Sequence, residues 1–400
     1  MRKASTPPAL TTLYMLAAIS PLTLNMIVPS LTNIAADLHA DYAVISLALG
    51  GYLAVTAMVE LIAGPVADRI GRRPVLLASL AVFTLASLAC AAAESERTFL
   101  AFRMLQACVV SGFVLSLAIV RDTTDGPNVA GLLGRISMTM ALAPMLGPML
   151  GSFLDTLVGW RAVFLLYAAI GAGLLFTVWV DLGETRRPQT DETGSEVQRL
   201  PALLREPAFW CYALCTAFST GAFFIFLAGA PLIASQVFGI TTAKLGIFVG
   251  CITLGFMTGS FLTSRLVRRY PPNMIMLAGR TVACSGMLAG LALLSFGDVT
   301  PLVYFGCTVF VGLGNGLTMP NSNAGAMSVL PRLAGSAAGI TGALTLAGGA
   351  LMTTLTGFVL AGRPGPEDLL ILMLLASFAG LLVTVAVIRL ERNAARSPAE

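Results

Sequence analysis

The chain has 400 residues, 56% of them hydrophobic and only 11% charged, with a formal net charge of +4 at pH 7. Soluble domains carry about 25% charged residues, so this composition cannot supply a water-facing surface. No basic cluster is interleaved with aromatics, which argues against nucleic acid as a partner, because phosphate binding needs a dense cationic stripe.

The opening "MRKASTPPALTTLYMLAAISPLTL" has the charged-then-apolar order of a signal peptide. Its apolar run continues through Pro29 without a small-residue cleavage site, so it is read as a retained first span. Apolar stretches of about 20 residues, each long enough to cross a bilayer as a helix, then recur along the chain. In the first half the expected spans are 11–33, 43–67, 74–93, 98–120, 133–156 and 161–182. The second half contributes 208–234, 243–266, 274–296, 301–325, 335–361 and 368–390.

Between them lies the one long polar segment, "GETRRPQTDETGSEVQRLPALLREP" (Gly183 to Pro207). Its proline and charge mark a cytoplasmic linker, 183–207, between two six-helix halves, 1–182 and 208–400. The expected fold class is all-α integral membrane, twelve transmembrane helices in two pseudo-symmetric halves. Arginines 69, 72, 73, 121, 135, 265, 268, 269, 332, 389, 392 and 396 fall on one side with Arg2, Lys3 and the linker. Only Arg97, Arg161, Lys244 and Arg363 fall on the other. The positive-inside rule then puts both termini in the cytoplasm.

The seven cysteines lie in apolar runs with no CxxC pair, and read as small core residues rather than a metal or disulfide framework. The lone histidine, His39, reads as a solvated loop residue. No Ser/His/Asp set, paired intramembrane carboxylates or His-rich cluster is present, so neither an enzyme, a metal nor a cofactor is expected.

The halves echo each other. "GPVADRIGRRP" ends the second span, and "GSFLTSRLVRRYP" ends the eighth, with Thr263 at the place of Asp68. The first of these resembles the loop signature between helices two and three of the major facilitator superfamily. "RMLQA", containing Arg103 and Gln106, resembles the fourth-helix motif of its proton-coupled members. "APMLGPMLG" resembles the fifth-helix signature of its antiporters, with Gly147, Pro148 and Gly151. "AIVRD" (with Arg121 and Asp122), "GWRAVF" and "AGSAAG" are similar to the bicyclomycin and chloramphenicol resistance branch of the drug:proton antiporters.

That resemblance implies the major facilitator fold and a proton-driven exporter of amphipathic small molecules, a monomer in a bacterial inner membrane. The substrate cavity would lie between helices 1, 2, 4 and 5 and their counterparts 7, 8, 10 and 11. A facilitator or importer without proton antiport is the alternative. Asp68, Arg69, Arg72 and Arg73 would form a cytoplasmic lock that breaks on switching, or a plain topology anchor. Arg103 would tune a proton site, or snorkel to the outer interface. The glycine–proline motif would bend the fifth helix, or simply pack it.

The branch usually has an aspartate in the first helix, where this chain reads "NMIVPSL" with Asn25; an amide carries no titratable proton. Glutamine is usual four residues before the loop-signature glycine, where this chain has Glu60. Glu60, Gly64 and Asp68 share one helix face at i, i+4 and i+8, a face expected to approach the eleventh helix. Glu60 is therefore expected to be the proton-coupling acid, a contact for cationic substrate, or a hydrated bystander. Substrate contacts are expected from Asn25, Met26, Tyr52, Gln106, Phe223, Phe226, Met319 and Asn321.

Overall fold

The computed structural model describes residues 9–123, 146–185, 201–297, 300–330, 333–361 and 365–396. Eleven described helices are long and apolar enough to cross a membrane, and a shorter apolar helix, Leu146–Val158, stands where the fifth span is expected. In chain order they are α1 (Leu10–Asp37), α2 (Tyr42–Ile70), α3 (Arg72–Ala91), α4 (Glu96–Val120), α5 (Leu146–Val158) and α6 (Arg161–Asp181). The second set is α7 (Pro207–Gln236), α8 (Thr242–Leu266), α9 (Pro272–Ser295), α10 (Pro301–Ser328), α11 (Ala334–Val359) and α12 (Pro366–Arg396).

Proline serves both at helix starts and within helices, where Pro21, Pro65, Pro231 and Pro320 each remove a backbone donor from α1, α2, α7 and α10. It occupies the first turn of α7, α9 and α10, positions whose N–H groups have no intrahelical partner anyway. Pro29 falls in a 3-10 turn, Val28–Ser30, that interrupts α1. Gly71 separates α2 from α3 at φ +116°, a left-handed conformation that a side chain resists.

Contacts divide the chain into two compact units, Met1–Pro188 with Ile240–Ile247, and Gln189–Gly239 with Phe248–Glu400. The first boundary falls inside the expected linker; the first turns of α8 group with the first unit. Within the first, α3 packs on α4 and α6, and α1 on α4 and α6. Within the second, α9 packs on α10 and α12, and α7 on α10 and α12. The repeat anticipated from two short loop motifs is thus a repeat of helix pairings.

Small residues and aromatics supply much of the packing, as expected where lipid offers no hydrophobic drive between helices, and an Arg161–Asp37 ion pair at 2.5 Å adds to it. The "GW" and "F" of "GWRAVF" show this. Trp160 donates its indole N–H to Asp37 at 3.2 Å, and Phe164 stands edge-on to Phe99, Trp160 and Tyr167 at 5.5, 5.8 and 5.7 Å. This column holds α4 to α6. His39 is exposed, in the turn after α1, and the cysteines are free, as the sequence suggested.

Candidate functional site

Arg103 is the centre of the first bundle. Ser95 caps α4 by accepting the Thr98 N–H at 3.4 Å. The helix then tightens to 3-10 geometry over Gln106–Val110 before resuming at Ser111. Such mid-helix changes of pitch accompany functional or strained sequence. Arg103, in the last α-helical turn before the change, has no exposed surface. It donates Nε–H to the Ala48 carbonyl of α2 at 3.1 Å and Nη2–H to the Thr23 carbonyl of α1 at 3.0 Å. Its Nη1 donates to Gln106 Oε1 at 2.8 Å, and the Tyr52 ring lies 4.1 Å from the guanidinium carbon.

Gln106 extends the network by donating to Ser87 Oγ of α3 at 2.7 Å, while Tyr167 of α6 donates to the same Thr23 carbonyl at 3.0 Å. The cation faces neutral groups, with no ion pair to a carboxylate among the described residues. Arg103 is held inward, so it does not snorkel. A cation so placed sets a fixed positive field inside the bundle, where the low dielectric lengthens its reach.

Asn25 lies two residues along α1 from Thr23. Its Nδ2 donates to the Pro21 carbonyl at 2.7 Å, and its buried Oδ1 has no donor among the described residues. Helix α5 crosses here. A Cβ on Gly147 would lie 3.1 Å from Asn25 Cβ and 3.3 Å from Met26 N, and one on Gly151 would run into the Met26 carbonyl oxygen. Gly147 and Gly151 are therefore close-packing residues against α1, while the Pro148 carbonyl lies beside Gly246. Met26 is fully enclosed.

Glu60, Gly64 and Asp68 are each partly exposed on one face of α2, and a Cβ at Gly64 would meet nothing within 4 Å. Neither a hydrogen bond nor an ion pair engages the Glu60 carboxylate among the described residues. Asp68 pairs with Arg72 at 2.9 Å, four residues on. A second acid, unremarked in the sequence reading, meets the same turn: Glu184 accepts the backbone N–H of Arg72 at 2.9 Å and of Arg73 at 3.4 Å. Arg73 also donates to the Trp179 carbonyl at 2.8 Å. Arg69 is exposed. Arg121 and Asp122 follow the α4 span in the last helical turn, which runs on to Thr123; their side chains lie outside the described residues.

In the second bundle Phe226 is fully buried with its ring 6.2 Å from Phe305, so it reaches no surface. Phe223 and Met319 keep partial exposure, and Met319 Sδ accepts from Thr220 at 3.6 Å. Asn321 donates to the Leu317 carbonyl at 2.8 Å. The sequence reading passed over Arg280, which is fully buried in α9. The signal was present: a lone arginine in "MIMLAGRTVACSG", too deep in its span to count as a cytoplasmic anchor.

Two bundles with matching helix pairings, each holding an arginine in its interior, define a membrane transport protein of two-repeat architecture. The family model of the Major Facilitator Superfamily matches residues 13–353. The chain belongs to that superfamily. An uncharacterized MFS-type transporter, YdgK of Bacillus subtilis, is 31% identical over 86% of this chain and 87% of its own. A chloramphenicol resistance protein of Pseudomonas aeruginosa is 26% identical over 86% and 82%. Multidrug resistance protein D of Escherichia coli is 26% identical over 93% of both chains. A bacterial homolog of the human lysosomal transporter Spinster, in an inward-facing and occupied conformation, shares the fold with a TM-score of 0.73 at 17% identity, covering 98% of each chain.

Proposed function

We propose that this chain exports amphipathic, uncharged or weakly cationic small molecules by proton antiport with alternating access. Its setting would be a bacterial inner membrane, with both termini cytoplasmic and the protein a monomer. Relatives named for chloramphenicol and multidrug resistance support the substrate class. The observation that carries the coupling is Glu60: a carboxylate inside α2 that no group among the described residues neutralises. An acid without a standing partner is free to take and release a proton, whereas Asn25 cannot. Arg103, whose three nitrogens are already engaged, would act on such a proton through its field. Phe223 and Met319 would touch substrate from the second bundle, and Tyr52, Gln106 and Asn25 would serve the first.

The test is transport by reconstituted protein under an imposed pH gradient. Glu60→Gln should abolish accumulation against a gradient yet permit downhill exchange, and Asn25→Asp in that background should restore part of the coupling. Undiminished uphill transport of a neutral substrate by Glu60→Gln would end the proton-site reading. The second reading, a facilitator or importer, is favoured by Asn25 itself, since the usual first-helix acid is missing. It predicts no proton flux when substrate is added to vesicles.

A further inference from the structure

Arg280 has none of its surface exposed. Its Nε–H donates to Thr318 Oγ1 at 3.0 Å and its Nη2 to Asn315 Oδ1 at 2.6 Å, both on α10. Nη1 has no acceptor among the described residues, and no ion pair among them includes this arginine. A guanidinium stays charged at any physiological pH, so it cannot escape burial by losing its proton. Arg103 is the useful contrast. It is equally buried, but all three of its nitrogens are engaged and a tyrosine ring covers it. The first cation is caged; the second has an open side.

The open side meets α12. A Cβ built on Gly380 would lie 3.2 Å from Arg280 Cδ and 3.7 Å from Nη1, so α12 passes the guanidinium closely at this glycine. Ser377 stands one turn earlier on the same helix face, at i and i+3. It is fully buried, and its hydroxyl also lacks a partner among the described residues. The neighbouring groups are already committed. Asn315 Nδ2 donates to the Ser219 carbonyl at 2.9 Å, and Thr318 Oγ1 donates to the Gly314 carbonyl at 2.8 Å. What remains is two unused donors and one unbalanced positive charge. The chemistry that completes this set is an acceptor carrying a negative charge.

We propose that Arg280 and Ser377 form an anion site within the second bundle, taking one compact negative charge: a halide ion, or a carboxylate on the transported molecule. The carboxylate case rests on the transport reading, but binding to purified protein is measured without transport, so the two can fail separately.

The experiment is thermal unfolding of the purified full-length protein in detergent, titrated with sodium chloride, sodium bromide or sodium benzoate. The reference is the bulky sulfonate of sodium HEPES at equal ionic strength. The site requires a saturable rise in Tm that the reference anion does not reproduce. Saturation by halides alone assigns an inorganic ion, and by benzoate alone a substrate carboxylate. Ser377→Ala, which loses no hydrogen bond in the fold, should weaken apparent affinity roughly tenfold, the worth of one hydrogen bond to a charged group. Arg280→Gln should remove the anion response. A wild-type response no larger than the reference, or an unchanged response in Ser377→Ala, overturns the site, and the latter holds even if Arg280→Gln does not fold.

Discussion

The Glu184 carboxylate accepts the backbone N–H of Arg72 at 2.9 Å, and so caps α3 from across the bundle. Gly71, the residue before the helix, has no side chain to do this, and a Cβ on it would collide with the same carboxylate. Three residues before Glu184, Asp181 performs the equivalent task for α1, accepting the Ala9 N–H at 2.9 Å and the Thr12 hydroxyl at 2.8 Å. The exit of α6 thus anchors two helix starts by placing negative charge where unpaired N–H groups converge.

Removal of that cap has a defined size. Glu184→Ala should lower stability by about 1 kcal/mol, the usual worth of an N-cap side chain. Glu184→Gln should keep part of it, because an amide oxygen still accepts. Thermal unfolding in detergent reads both, and equal losses in the two variants would remove the cap from consideration. Gly71→Ala should be worse than either, combining the left-handed backbone with the collision.

The Asp68–Arg72 pair predicts a different outcome. The two side chains are 31% and 12% exposed, and pairs of this i, i+4 kind contribute only about 0.3–0.5 kcal/mol. Asp68→Asn should therefore leave Tm nearly unchanged while slowing transport, if the pair acts as a switch contact. Wild-type transport rates in that variant would reduce it to a topology anchor.

Helix α5 offers a graded series. Gly147→Ala asks its neighbours to give way by a few tenths of an ångström, whereas Gly151→Ala drives a methyl into the Met26 carbonyl. Gly151→Ala should destabilise by about 3 kcal/mol, the upper end of the usual range of overpacking, and Gly147→Ala by much less. Fluorescence-detected size exclusion after a heat step would rank them, and a reversed order would show that α5 does not press on α1 here.

Arg103→Lys should not be conservative. Lysine cannot reach Ala48, Thr23 and Gln106 together, because its donors radiate from a single nitrogen. The loss of at least one hydrogen bond to a charged group predicts transport reduced tenfold or more, with expression retained better than in Arg103→Ala. Wild-type transport by Arg103→Lys would mean that charge alone, not the fork, matters at this position.

Orientation is tested by single cysteines in a cysteine-free background. Phe296, 88% exposed in the turn after α9, should react with an impermeant thiol reagent added outside when changed to Cys. Tyr270→Cys, in the turn before α9, should react only after lysis. Labelling of position 270 from outside would invert the proposed topology.

Membrane class, the places of eleven spans among the described residues and the family resemblance were legible in the sequence, while the first part of the expected fifth span, 133–145, lies outside those residues. Each depends on local composition: a helix in lipid must satisfy its own backbone, so an apolar run of sufficient length declares itself. Candidate residues were legible too wherever charge stood inside such a run, as with Glu60 and Arg103. What each does there was not. Only the fold shows that Arg103 is locked to α1 and α2 while Arg280 keeps an open donor, since the partners on other helices lie 35 to 80 residues away along the chain. Only the fold shows that Gly151 is pressed against Met26, or that Glu184 caps α3 from 112 residues further along. Burial, hydrogen-bond completion and close approach are properties of neighbours in space, and those neighbours come from different helices. Sequence order separates them, and tertiary packing alone decides which are joined.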